Sequence, residues 1–221
     1  MGWSKSSIEI IGYDKRPIKN TLLSMGKSDK LAIVFPGIGY TCQMPVLYYP
    51  TLSLLENWYD VLWVEYNYKN EDFSGRSDKE KVSWINFDAE ASYDAVLRKS
   101  RYKNILLIGK SLGTFALVHL NSKRKIDRDL WLTPLLKTAN AVNVELFDDI
   151  KKVCKGGIFI IGTEDPHYDK ARIDELTKSG AEFASIEGAD HSMEIEGNVH
   201  KSLAALERII KETEKIAGNI G

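Results

Sequence analysis

Three residues of types that together run acyl transfer stand far apart in this chain: Ser111 in Gly109-Lys110-Ser111-Leu112-Gly113, Asp165 in TEDPHYD and His191 in ADHSME. A serine hydroxyl is a weak nucleophile at neutral pH, so it needs a general base in contact and an acid to orient that base. The letters Gly109-Lys110-Ser111 also end a phosphate-binding loop, which would imply a different enzyme. That loop needs a glycine at position 104, then open backbone whose N–H groups wrap the phosphates. Position 104 is Asn104, and 104–108 reads NILLI, an apolar run that predicts a strand. The cradle has nowhere to form. Gly-x-Ser-x-Gly directly after a strand predicts instead a tight strand-to-helix turn with the serine hydroxyl exposed at its apex.

The required partners follow in the expected chain order, Ser, Asp, His. Asp165 comes just after the apolar run GIFIIG (157–162), and His191 just after EFASIEG (182–188). Glu164, Asp169 and Asp190 compete for the acid role; Asp165 is preferred because Pro166 restricts its backbone and ends the strand there. His167 and His200 compete for the base role; His191 is preferred because its loop follows the last strand and reaches Ser111 from across the sheet. His119 lies inside the apolar stretch LGTFALVHL and reads as a helix residue. Lys110 is unusual beside a nucleophile. Attraction of an acidic substrate and pairing with a surface carboxylate are both open to it.

These residues need a scaffold, and the apolar runs outline one. LAIVF (31–35), VLWVEY (61–66), NILLI, DLWLT (129–133), GIFIIG and EFASIEG are short and mostly continuous, as expected of parallel strands covered on both faces. SIEII and IKNTLL near the start alternate more and suggest an antiparallel pair at one sheet edge. Helical spacing links Trp84, Phe87, Ala91 and Ala95, and again Val199, Leu203, Leu206 and Ile210, with Asn198 as N-cap and Gly218 as stop. Alternating strands and helices predict an α/β fold with a mostly parallel sheet between two helical layers. The polar stretch 67–81 reads as a long surface loop, mobile or gating the site.

Composition narrows the class. At 221 residues, with 43% hydrophobic and 28% charged, the chain reads as one domain over 1–221. A net charge of −1 with both signs scattered gives no footprint for nucleic acid. Cys42 and Cys154 are too few for a disulfide scaffold and fit no CxxC pattern, which points to a reducing compartment. No leader or membrane span is expected, and the loose myristoylation match of Gly2 and Ser6 is set aside, so the expected location is cytoplasmic.

With GKSLG, GTEDP and GADHS in this order, the chain resembles the α/β-hydrolase superfamily over nearly its whole length. The likeness is greatest to small members with little or no lid, the dienelactone-hydrolase-like and esterase or thioesterase groups. Dienelactone hydrolase itself departs in using cysteine where Ser111 stands. The resemblance implies an eight-stranded, mostly parallel sheet, with Ser111 after the fifth strand, Asp165 after the seventh and His191 after the eighth. It also implies an oxyanion hole from the N–H groups of Leu112 and Ile38, the latter in FPGIGYT, where Pro36 replaces a common histidine.

Only residues 134–156 separate DLWLT from GIFIIG, so a minimal cap and an open site are expected. Tyr40 and Thr133 follow strand ends on the catalytic side and are expected to line the pocket. The chemistry expected is hydrolysis of a small, accessible ester or thioester, by a monomer or homodimer, without metal or organic cofactor. A peptidase on the same fold and a non-catalytic binding protein are the alternatives.

Overall fold

The computed structural model describes residues 2–218. One eight-stranded sheet is built from β1 (Ser4–Ser6), β2 (Asn20–Ser24), β3 (Lys30–Phe35), β4 (Tyr59–Val64), β5 (Asn104–Lys110), β6 (Arg128–Leu132), β7 (Ile158–Gly162) and β8 (Glu182–Ile186). Their spatial order is β1-β2-β4-β3-β5-β6-β7-β8; β1 and β2 are antiparallel to their neighbours and the rest run parallel. The helices are α1 (Pro45–Glu56), α2 (Glu71–Ser74), α3 (Asp78–Lys99), α4 (Gly113–Lys123), α5 (Phe147–Val153), α6 (Lys170–Lys178) and α7 (Val199–Gly218).

Successive strand residues point to opposite faces, and each face has its own core. On one, Ile33, Phe35, Leu107 and Phe159 pack with Ile85, Val96, Leu117, Ile150 and Leu176 from α3 to α6. On the other, Val34, Leu106, Ile108 and Ile160 pack with Leu47 and Leu54 of α1 and with Ile209 and Ile216 of α7. Both faces are dry, which is why the central strands read as unbroken apolar runs; each fully buried Leu or Ile contributes about 1.5–3 kcal/mol.

This wrapping creates the site's location. The chain leaves β3 for α1 on one face and leaves the adjacent β5 for α4 on the other. The two connections diverge at the carboxyl ends of β3 and β5, the switch point at which open α/β sheets bind their ligands.

Several expectations need correction. The first strand is Ser4–Ser6, not the run 7–11. Asn20 claims that run by accepting from the N–H of Ile8 (3.0 Å) and donating to its carbonyl (2.8 Å), which replaces ladder bonds with side-chain bonds. The stretch 67–81 is no open loop. Asn70 caps α2, and Ser77 and Glu80 form a reciprocal capping box that starts α3 at Asp78. On α3, Phe87 is exposed instead of buried, with its edge on Tyr13. On α7 the buried line is Ala205, Ile209, Thr213 and Ile216, whereas Val199 is 66% and Leu203 58% exposed. Gly218 is the last residue of α7, so the stop expected there lies outside the described residues.

Candidate active site

Ser111 occupies the turn between β5 and α4 with φ of 51°, a left-handed conformation that costs a non-glycine residue energy. The turn closes through Ser111 N–H donating to Leu132 O (3.0 Å) and Thr114 Oγ1 donating to Ser111 O (2.6 Å). A Cβ on Gly113 would collide with the carbonyl oxygen of Phe35, so only glycine lets α4 lie this close to β3. Ser111 is 9% exposed.

His191 Nε2 lies 2.9 Å from Ser111 Oγ, and His191 Nδ1 lies 2.8 Å from Asp165 Oδ2. A carboxylate only accepts, so Nδ1 carries the proton and Nε2 accepts from the serine. Asp165 is buried, and its other oxygen, Oδ1, accepts from the backbone N–H of His167 (2.8 Å). The acid loop after β7 and the histidine loop after β8 are stitched together by Glu164 N–H to Ala189 O (3.0 Å) and Gly188 N–H to Thr163 Oγ1 (2.8 Å). Asp190 tightens the histidine loop by accepting from Ser192 N–H and Glu194 N–H at 2.7 and 2.9 Å.

The rival residues have other partners. Asp169 is the N-cap of α6, accepting from Arg172 N–H. His119 sits 3.0 Å from Glu90, His200 is on the exposed side of α7, and Glu164 is exposed. His167 is the nearest, its ring centre 5.4 Å from that of His191, with Nδ1 3.1 Å from Lys137 O. Burial holds its pKa below the usual histidine value, against the pull of Asp165. Ligand atoms of Asp165, His167 and His191 lie within 4.8 Å of one another, but Asp165 and His191 direct theirs at each other.

Leu112 follows Ser111 and is buried, whereas Ile38 is 38% exposed. Gly37, next to Ile38, approaches so closely that a Cβ there would stand 3.1 Å from Ser111 Cβ. Among the described residues, neither the Leu112 nor the Ile38 amide donates to a protein acceptor. Tyr40 is half-buried; its hydroxyl accepts from Val46 N–H at 3.1 Å, at the start of α1. Thr133 needs correction as a pocket wall: it is fully buried, φ 44°, with Oγ1 turned to Lys110. Lys110 has no role that its neighbours in sequence assign. It is 2% exposed, and burial pushes its pKa down to about 8, opposed by Asp165 and Asp190.

Between β6 and β7 the described chain forms only α5 and an isolated bridge, Ala139 to Val142. Among the described residues no helix is long and apolar enough to cross a membrane.

No family model and no curated protein sequence matches the chain. Many solved structures do. An esterase from Pyrococcus furiosus aligns at TM-score 0.70 with 16% identity, over 96% of this chain and 92% of that one. The esterase Est1E from Butyrivibrio proteoclasticus, solved with ferulic acid bound, gives 0.71 and 14% over 94% and 96%. An Agrobacterium tumefaciens protein of unknown function, provisionally described as an alpha/beta hydrolase, gives 0.74 and 14% over 96% and 95%. At such identities the likeness is one of fold.

Proposed function

The chain has the α/β-hydrolase fold, and we propose that it is a serine hydrolase that cleaves a carboxylic ester or thioester of a small, accessible substrate. One observation carries the reading: the unbroken contact from Ser111 Oγ to His191 Nε2 (2.9 Å) and from His191 Nδ1 to Asp165 Oδ2 (2.8 Å).

Ser111 Oγ attacks the acyl carbonyl as His191 Nε2 takes its proton, and the buried Asp165 carboxylate stabilises the imidazolium. The Leu112 and Ile38 amides donate to the tetrahedral oxyanion, a term that removal of one donor typically reveals as about 100-fold to 1,000-fold in kcat. His191 returns the proton to the leaving alcohol or thiol. Water, deprotonated by the same imidazole, then releases the acid from Ser111. Each step uses side chains and backbone amides of this one chain together with water, so the mechanism calls for no second subunit, metal or cofactor. The short connection between β6 and β7 supports a small, accessible substrate, with the half-buried Tyr40 as a candidate contact. The free, buried thiols of Cys42 and Cys154 support a reducing, cytoplasmic location.

The test is labelling by a fluorophosphonate probe, with Ser111→Ala as control, beside turnover of p-nitrophenyl esters of increasing acyl length, a feruloyl ester, an acyl thioester and a p-nitroanilide. Labelling at Ser111 with ester or thioester turnover is the expected result. Preference for the anilide would favour a peptidase, and neither labelling nor turnover would leave a binding protein.

A further inference from the structure

Lys110 ends β5, immediately before the nucleophile, and takes no part in the chemistry above. An ammonium 2% exposed is costly unless its hydrogens are matched. Here they are. Nζ donates to the carbonyl oxygen of His191 at 2.9 Å and to Thr133 Oγ1 at 3.2 Å, and it lies 4.4 Å from the centre of the Tyr40 ring. Three loops, those after β3, β6 and β8, therefore converge on one cation at the end of β5. So enclosed, it has no surface with which to meet a substrate carboxylate, and its closest partners are a carbonyl, a hydroxyl and a ring, not a surface acid.

We propose that Lys110 is a positioning residue that ties the backbone of His191, and with it the loop after β8, to the nucleophile strand. This rests on the serine-hydrolase reading for its catalytic consequence, though not for its geometry. The loop bearing His191 is also held at Ala189 and Asp190, by buried Met193, by Ile195 N–H donating to Ser202 Oγ, and by its stitching to the acid loop, none of which fixes the His191 backbone itself. A direct bond at the histidine's own carbonyl sets where the imidazole starts.

The experiment is amide hydrogen exchange at Asp190, Ser192 and Glu194, read by NMR in the wild type and in Lys110→Met, which keeps length but removes the donors. Exchange at these loop amides, and not in the central strands, is expected to quicken about tenfold or more in Lys110→Met and to stay near wild type in Lys110→Arg. If Lys110→Met does not fold, Lys110→Gln is measured in its place. In ester turnover, kcat should fall about tenfold with KM little changed, because the base is misplaced and not the substrate. Unchanged exchange in a folded variant would overturn the proposal and leave Lys110 a space filler. The NMR reading needs no turnover. If the wild type neither labels nor cleaves esters, the functional reading fails while the brace is still decided.

Discussion

Replacing Asp165 by asparagine should disable the enzyme through hydrogen-bond polarity alone. The two side chains have the same shape, and the site is rigid around them. Oδ1 accepts from the backbone N–H of His167 (2.8 Å), a donor that cannot turn away, and Oδ2 accepts from His191 Nδ1–H (2.8 Å). Asparagine has one oxygen, which the fixed His167 amide claims. Its NH2 then faces His191 Nδ1, and two N–H groups cannot point at each other. The imidazole answers by moving its proton to Nε2, where it donates to Ser111 Oγ and can no longer accept from it. The base is lost with its geometry intact. In serine enzymes of this design the tautomer error costs about 10⁴ in kcat, equivalent to about 5.4 kcal/mol. The assay is kcat for the best p-nitrophenyl ester at a pH where wild type is fully active, with thermal unfolding confirming a native fold. A variant within tenfold of wild type would refute the assigned bond polarity, and with it the role given to Asp165.

Other expected outcomes concern the scaffold. Gly113→Ala places a methyl against the Phe35 carbonyl, so β3 and α4 must separate; a loss of about 1–3 kcal/mol by thermal unfolding should accompany a drop in fluorophosphonate labelling rate. Asp129 is buried with Trp131 Nε1 donating to it at 2.6 Å, and burial raises its pKa to about 6 from 3.8. A raised acid pKa means the folded state holds its proton more tightly, so the contribution of Asp129 to stability is fully present below pH 4 and is lost as pH climbs to 6. Asp129→Asn keeps an acceptor for Trp131 without the charge. It should be more stable than wild type at pH 7, by up to about 3 kcal/mol, and flatten the dependence between pH 4 and 6 in denaturant melts.

The candidate site residues were legible because each follows its strand by only a few positions. Once GKSLG, TEDP and ADHS are placed at strand ends, a parallel sheet brings Ser111, Asp165 and His191 together. Lys110 was not legible, since its partners Thr133 and His191 are 23 and 81 residues away. Thr133 was misplaced for a related reason: a strand end locates a backbone, but the positive φ at that residue turns the side chain under the site. The polar stretch 67–81 hid helix starts because capping residues such as Asn70 and Ser77 are also typical of loops. At the first edge, Asn20 took up the backbone groups of Ile8 that an alternating apolar pattern had assigned to a ladder.

The bare connection between β6 and β7 makes this chain a scaffold open to elaboration. Thr138 and Asn140 are exposed, while the neighbouring Leu135 and Leu136 are anchored in the core. A segment spliced between those two exposed positions would lengthen a surface excursion at little entropic expense, about 0.6 kcal/mol for each doubling of loop length. Ser111, Asp165 and His191 hang from other strand ends and need not move. Selectivity can thus be redesigned by grafting a roof, while the reactive core is inherited unchanged.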